Sequence, residues 1–145
     1  MHPYPHHYVA SASAKASGSV AVNSPGLPTI ETAPPPEFDG PGGIWSPETL
    51  LCASIADCLI LTFRAMAAAS KFEWSALDCR VEGTLDRADG VTQFTAYTIH
   101  ATLTIPPSAD AAKGRQLVER SEQRCLVTNS LKGTKTLLAE VVRAA

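Results

Sequence analysis

The sequence predicts an α+β fold built as one domain over residues 1–145. A long apolar segment with helical spacing, Ser46–Ser70, forms the centre of this prediction. Two long strand candidates, Leu77–Asp86 and Val91–Ile105, follow it and are joined by an Asp-Gly turn signal. Because most predicted strands are joined by turns rather than crossover helices, the pattern favours α+β over a doubly wound sheet. A chain of 145 residues is long enough to bury a core of its own.

The first third of the chain predicts a small sheet and a loop. Tyr8–Ala16 and Ser19–Val22 alternate as hairpin strands, and Pro28–Thr32 supplies a third strand. Pro34–Gly43 is rich in Pro and Gly and forms a connecting loop or one wall of a binding site. Residues 1–7 are expected to be a disordered tail, although their histidines offer a weak metal chelator as the alternative.

The Ser46–Ser70 segment begins with helix-start signals. Ser46 is a typical N-cap, and Pro47 suits the first helical position. The apolar residues that follow are spaced by three and four, and the segment carries few charges, so we expect a central helix buried on more than one side. One chain of this size can hardly cover such a helix, which predicts a dimer.

The second half predicts strands around an amphipathic helix. In Val91–Ile105 the set containing Tyr97 and Ile99 is the more apolar and should face the core, which leaves His100 on the strand surface. Ser108 is expected to cap a half-exposed helix from about Ala109 to Arg124. Thr136–Val142 then closes the chain as a strand.

Composition excludes several classes of function. The formal net charge is −2 and no basic stripe occurs, so nucleic acid is a poor candidate partner. No apolar run of about 18 residues is free of charge, and no signal-peptide pattern occurs, so we expect a cytoplasmic protein without a membrane span. The four cysteines show no CxxC pair and no zinc-like spacing with histidines, so the sequence predicts no zinc site.

The cysteines differ in their sequence contexts. Cys52 and Cys79 are interpreted as small core residues. Cys58 lies in the nearly uncharged helix, and Cys125 follows the basic segment Arg120–Arg124. A reactive thiolate needs nearby positive charge or oriented N–H groups, and the second segment offers such charge.

Three segments together resemble the OsmC/Ohr family of osmotically inducible and organic-hydroperoxide-resistance proteins. They are Gly42–Leu51, Ile55–Leu59 and Glu122–Leu131. The family pattern has a Pro-Glu helix start, a Cys ten residues after that Glu, and a distant Cys-Pro-X-Ser-like motif. Cys58 follows Glu48 at this spacing. The second motif departs from the pattern, because Leu126 replaces the Pro and Thr128 replaces the small hydroxyl residue.

The resemblance implies a thiol peroxidase without metal or cofactor. Cys58 would attack an organic peroxide and become a sulfenic acid, and Cys125 would resolve it as an intrachain disulfide. An external dithiol, of lipoyl type in the Ohr branch, would restore both thiols. The implied fold is an intertwined homodimer, with central buried helices wrapped by antiparallel-rich β-sheets. Glu48 corresponds to the family's active-site carboxylate.

Two features set this chain apart from the family pattern. Ten helical residues advance about 15 Å, so Glu48 reaches a Cys58 site only across a dimer, or acts as a helix-start charge. The family's arginine is missing, since no Arg precedes Arg64. Either Lys15 or Arg124 replaces it, or the pKa of Cys58 stays near or above the usual value of about 8.5, and we favour the latter and a slow enzyme.

The alternative function is a non-catalytic OsmC-like dimer that binds an apolar small molecule at the subunit interface, with Cys58 as lining. A plain structural dimer is a third interpretation. A cation near Cys58 favours the peroxidase, as does loss of thiols in pairs on exposure to peroxide.

Overall fold

A computed structural model describes all residues 1–145, and it has the predicted α+β composition of two helices and two sheets. The chain divides into two compact units, Met1–Leu50 and Leu51–Ala145. The strands are β1 (Ser11–Ser13), β2 (Val20–Asn23), β3 (Ile30–Thr32), β4 (Ala76–Ala88), β5 (Val91–Ile105) and β6 (Thr134–Arg143); the helices are α1 (Pro47–Ala69) and α2 (Ala111–Gln123). Short 3-10 turns cover Pro36–Phe38 and Thr128–Ser130. The single-domain organisation stays a prediction.

The first unit contains the predicted hairpin and third strand. Strands β1, β2 and β3 pair antiparallel in that order. After β3 the chain loops back, and Ala33 N donates to Trp45 O at 3.0 Å. Gly40 is required in this loop, because a Cβ there would lie 1.7 Å from Pro34 O. Residues 1–10 are exposed and carry no regular secondary structure; the disorder of the tail stays a prediction.

Helix α1 begins at the predicted cap. The Ser46 Oγ accepts from Thr49 N at 3.2 Å, and Ser46 N donates back to Thr49 Oγ1 at 2.9 Å. This reciprocal pair satisfies donors that the first helical turn would leave without partners. The helix is then continuous to Ala69, one residue short of the predicted end.

The second sheet has the order β4-β5-β6. Strands β4 and β5 are antiparallel, and the turn between them uses left-handed backbone at Asp89 (φ 52°) and Gly90 (φ 78°), as the Asp-Gly signal predicts. Strand β6 instead pairs parallel to β5. A parallel pair needs a crossover connection, which α2 supplies.

The core joins one stripe of α1 to one face of the second sheet. The stripe is Ile55, Leu59, Phe63 and Ala67, all at most 1% exposed. On β5 the predicted core face is confirmed, with Tyr97, Ile99, Ala101, Leu103 and Ile105 buried, and Leu117 and Val118 of α2 complete the cluster. His100 lies on the other, half-buried face, as predicted.

The single chain covers one side of α1, and burial of the helix on more than one side stays a prediction for the dimer. Only 22% of its most apolar window is buried, and Leu61 is 51% exposed. One sheet face contacts one helix stripe, so the rest of the helix stays uncovered. By length and composition alone α1 could cross a membrane, but this is weak evidence, since core helices of soluble proteins share those features.

The cap of α2 differs from the prediction. Asp110, not Ser108, accepts from the N–H groups of Ala112 and Lys113, at 2.9 and 3.2 Å. The helix therefore starts two residues later than expected. Ser and Asp are both good N-cap residues, so the sequence alone does not show which of the two caps the helix. Ser108 instead lies in the turn closed by the hydrogen bond from Ala109 N to Pro106 O.

Candidate active site

The second unit brings Cys58 and Cys125 together. Cys58 lies in the middle of α1, and Cys125 lies just after α2, where its N–H donates to Glu122 O at 3.0 Å as the helix ends. Each thiol shifts the pKa of the other, and both cysteines are free thiols. Cys125 is 1% exposed, whereas Cys58 is half-buried and reachable from solvent.

Further donors surround the Cys58 sulfur. Backbone hydrogen bonds from Leu126 and Val127, in the loop that follows Cys125, lower the pKa of Cys58. One turn along α1, Thr62 Oγ1 lies 3.9 Å from Cys58 Sγ. Thr62 could be predicted from the sequence, because it lies four residues after Cys58 on the same helix face. The two backbone donors could not, because almost every residue type carries a backbone N–H group.

The two thiols have opposite electrostatic environments. Burial raises the pKa of Cys58, but the hydrogen bonds from Cys125, Val127, Thr62 and Leu126 outweigh it and hold the pKa below its ordinary value. Burial and the hydrogen bond with Cys58 together raise the pKa of Cys125. The expectation that the pKa of Cys58 stays near or above the ordinary value is therefore wrong. Of the two thiols, Cys58 is therefore the more acidic.

Cys52 and Cys79 lie outside this pair. Burial raises the pKa of Cys79 to about 11, with a smaller contribution from Cys125. Burial also raises the pKa of Cys52, whose sulfur packs so close to β4 that a Cβ on Gly83 would lie 2.9 Å from it. Cys79 packs against the apolar core, and the backbone hydrogen bond from Gly83 lowers the pKa of Cys52 less than burial raises it.

Glu48 is in the first turn of α1 and is half-buried. Since α1 continues without interruption to Cys58, the ten residues between them span about 15 Å along the helix, and the structure does not bring them together. The Glu48 Oε2 atom is buried with no hydrogen-bond partner.

No charged side chain is among the groups that lower the pKa of Cys58. Lys15 is exposed in the loop between β1 and β2, and the side chains of Arg64 and Arg124 are exposed as well. None of the three forms an ion pair, since the only salt bridge joins Arg80 to Glu82. No group of three or more His, Cys, Asp or Glu side chains is arranged to hold a metal ion.

Fold and site together define an α+β protein with a two-cysteine centre between a core helix and a loop. A family model described as OsmC-like protein matches residues 40–138. The chain therefore belongs to the OsmC-like family, as the sequence resemblance predicts.

Solved structures of the same fold come from several bacteria. An OsmC-like protein of unknown function from Vibrio cholerae superposes with a TM-score of 0.83 at 15% identity, over 95% of this chain and 100% of that one. An organic hydroperoxide resistance protein OsmC from Legionella pneumophila superposes with a TM-score of 0.75 at 23% identity, over 97% of this chain and 99% of that one. An organic hydroperoxide resistance protein from Elizabethkingia anophelis superposes with a TM-score of 0.78 at 17% identity, over 97% of this chain and 99% of that one. No curated protein matches the sequence.

Proposed function

We propose that the protein is a thiol-dependent peroxidase that reduces organic hydroperoxides. The observation that carries this proposal is the contact between Cys58 and Cys125, whose hydrogen bond accompanies pKa shifts in opposite directions. Thiol groups whose environments separate their pKa values are suited to different chemical roles. Here the half-buried, more acidic thiol is the nucleophile, and the fully buried one is its resolving partner.

The reaction uses only these two thiols and the peroxide. The Cys58 thiolate attacks one peroxide oxygen, the O–O bond breaks, and the alkoxide takes up a proton and leaves as alcohol. Cys58 is then a sulfenic acid. The Cys125 sulfur attacks the Cys58 sulfur, water leaves, and a disulfide forms, so the two thiols have supplied the two electrons. An external dithiol of lipoyl type exchanges with the disulfide and returns both cysteines to the thiol form.

The residues near the pair favour an apolar peroxide. Leu126, next to Cys125, is 72% exposed although it is a large hydrophobic side chain. An exposed apolar side chain beside a reactive centre gives an alkyl group a surface to contact. Two of the solved structures with this fold are named for organic hydroperoxide resistance, which supports the same substrate class.

A homodimer completes this proposal. The uncovered apolar side of α1, with Leu61 half-exposed, is the surface that a second copy would cover. The unpartnered Oε2 of Glu48 would then face Cys58 of the other copy. Sedimentation should give twice the chain mass, and Leu61→Glu should shift it to one chain mass; a wild type that sediments as a monomer contradicts the dimer. Cytoplasmic localisation remains a prediction.

The peroxidase is tested by turnover with an organic hydroperoxide and a small dithiol. Cys58→Ser should reduce peroxide consumption to the uncatalysed rate, because serine cannot form the thiolate. The matched control is Cys52→Ser, in the same helix but outside the pair, which should keep wild-type turnover. Activity that survives Cys58→Ser contradicts the proposal, and a wild type that consumes no peroxide leaves the apolar-ligand binder as the better account.

A further inference from the structure

We propose that Lys135 is a positioning residue, whose ammonium group ties the loop that carries Cys125 to β6 and so holds Cys125 in place for disulfide formation. This Cys125 loop, residues 125–131, follows α2 and contains the 3-10 turn Thr128–Ser130. The use of the contact in disulfide formation rests on the proposed peroxidase function. The contact itself is a property of the reduced protein and can be measured without any peroxide.

The Lys135 ammonium group connects the Cys125 loop to the second sheet. Its Nζ donates to Thr128 O at 2.7 Å and to Leu131 O at 3.3 Å. Hydrogen bonds from an ionised donor are roughly twice as strong as neutral ones. No other side chain of the second sheet donates to this loop, so Lys135 alone makes the polar connection between the two.

Lys135 lies at a core-facing position of β6. Successive strand residues alternate between the two faces of a sheet, and Lys135 shares its face with Leu137, Ala139 and Val141, which pack against the hydrophobic core. Its register partner on β5, Tyr97, is 2% exposed. An ammonium group on such a face costs free energy unless it is hydrogen-bonded. The two loop carbonyls supply these hydrogen bonds.

The same loop carbonyls belong to a turn that holds the backbone of Cys125. Thr128, which is fully buried, donates from Oγ1 to Cys125 O at 3.2 Å, and Asn129 N donates to the same oxygen at 3.0 Å. Leu131 N closes the turn by donating to Thr128 O at 3.1 Å. The hydrogen bonds from Lys135 therefore fix the Cys125 backbone relative to β6. Cys125 is 1% exposed, so a reagent reaches its sulfur only when the loop opens.

The Lys135 contact acts on the second chemical step of the proposed reaction. In that step the Cys125 sulfur attacks the Cys58 sulfur, the S–O bond of the sulfenic acid breaks, and the hydroxyl group leaves as water with the Cys125 proton. Such reactions within one molecule depend strongly on the placement of the reacting atoms. The first step, attack of Cys58 on the peroxide, forms no bond to the Cys125 loop.

Three variants test the contact. Lys135→Met keeps an unbranched side chain and removes the donor. The matched control is Lys132→Met, which removes an exposed ammonium group between the Cys125 loop and β6. Lys135→Arg keeps a charged donor and should stay close to the wild type.

The first readout is the rate at which a thiol reagent labels Cys125 in the folded, reduced protein, with Cys79 as the internal reference. Loss of the two hydrogen bonds favours opening of the loop, so Lys135→Met should label Cys125 about tenfold faster. Cys79 should keep its rate, and Lys132→Met should match the wild type at both positions. An unchanged Cys125 rate in Lys135→Met overturns the proposal. An equal rise at Cys79, or in Lys132→Met, overturns it as well.

The second readout follows both chemical steps after one equivalent of an organic hydroperoxide. Lys135→Met should slow formation of the Cys58–Cys125 disulfide by about tenfold and formation of the Cys58 sulfenic acid by less. Disulfide formation at the wild-type rate, or equal slowing of both steps, contradicts a positioning role. A wild type that forms no disulfide contradicts the proposed function, and the labelling rates still decide whether Lys135 holds the loop.

A third measurement uses the unmodified protein and so does not depend on the folding of a variant. The ammonium protons of Lys135 should exchange with water more slowly than those of Lys132, because two carbonyl oxygens hold them. Nuclear magnetic resonance of the two ammonium groups measures this difference. Equal exchange rates at the two lysines overturn the proposal.

Discussion

Two pairs of cysteines lie in the same compact unit, and they differ in the hydrogen-bond donors that surround the sulfur atoms. Cys58 meets two amide donors, a thiol and a hydroxyl, and its pKa falls despite its burial. Cys79 meets apolar core residues and no compensating donor, and its pKa rises to about 11. A thiolate in this fold therefore depends on oriented hydrogen-bond donors. Burial without such donors raises the pKa of a cysteine and makes it unreactive.

Thr62→Val sharpens this comparison most strongly among side-chain changes. It removes one donor to Cys58 while nearly keeping the shape of the side chain. The contact is long, at 3.9 Å, so the pKa of Cys58 should rise by a few tenths of a unit to about one unit. Alkylation of Cys58 at neutral pH should slow accordingly. A pKa that stays at the wild-type value would show that the loop amides and Cys125 act without Thr62.

Cys79→Ser should have a smaller effect, visible only at alkaline pH. The folded state holds the Cys79 proton more tightly than the unfolded chain, so its contribution to stability is present below the unfolded pKa. It is lost as the pH rises from about 8.5 towards 11, the folded pKa. Serine does not ionise in this range. Urea denaturation midpoints should therefore fall less between neutral and alkaline pH in the variant than in the wild type.

Cys58→Ser is the control for this stability measurement. The pKa of Cys58 is lowered by folding, so its linkage has the opposite sign and its removal should not protect the protein at alkaline pH. Equal protection by both variants would mean that the two cysteines do not differ in the way described here.

Much of the fold follows from periodicity in the sequence. The alternation in Val91–Ile105 gives β5 with its core face, and the cap at Ser46 gives the start of α1. The sequence does not decide what buries the second side of α1, because an apolar helix shows how much surface needs covering but not whether its own chain or a second copy covers it. The parallel pairing of β6 also leaves no local pattern, since strand direction depends on the crossover through α2.

The candidate site was predictable only in part. Cys58 and Cys125 are identified in the sequence by their contexts, and the structure brings them together. Lys15 and Arg124 are the replacement cations that the sequence suggests, because the charge of a side chain follows from its residue type. The donors to Cys58 are instead backbone N–H groups and a hydroxyl, and every residue except proline carries such an N–H. Only the folded loop shows which of them are aimed at a sulfur.

The most direct test of the account is peptide mapping of the protein after one equivalent of an organic hydroperoxide. We expect one disulfide, between Cys58 and Cys125, with Cys52 and Cys79 still reduced. In Cys125→Ser, Cys58 should instead accumulate as sulfenic acid and then over-oxidise, because its resolving partner is gone. A disulfide that includes Cys52 or Cys79, or a Cys58 left unmodified under excess peroxide, would contradict the division of roles between the two cysteine pairs.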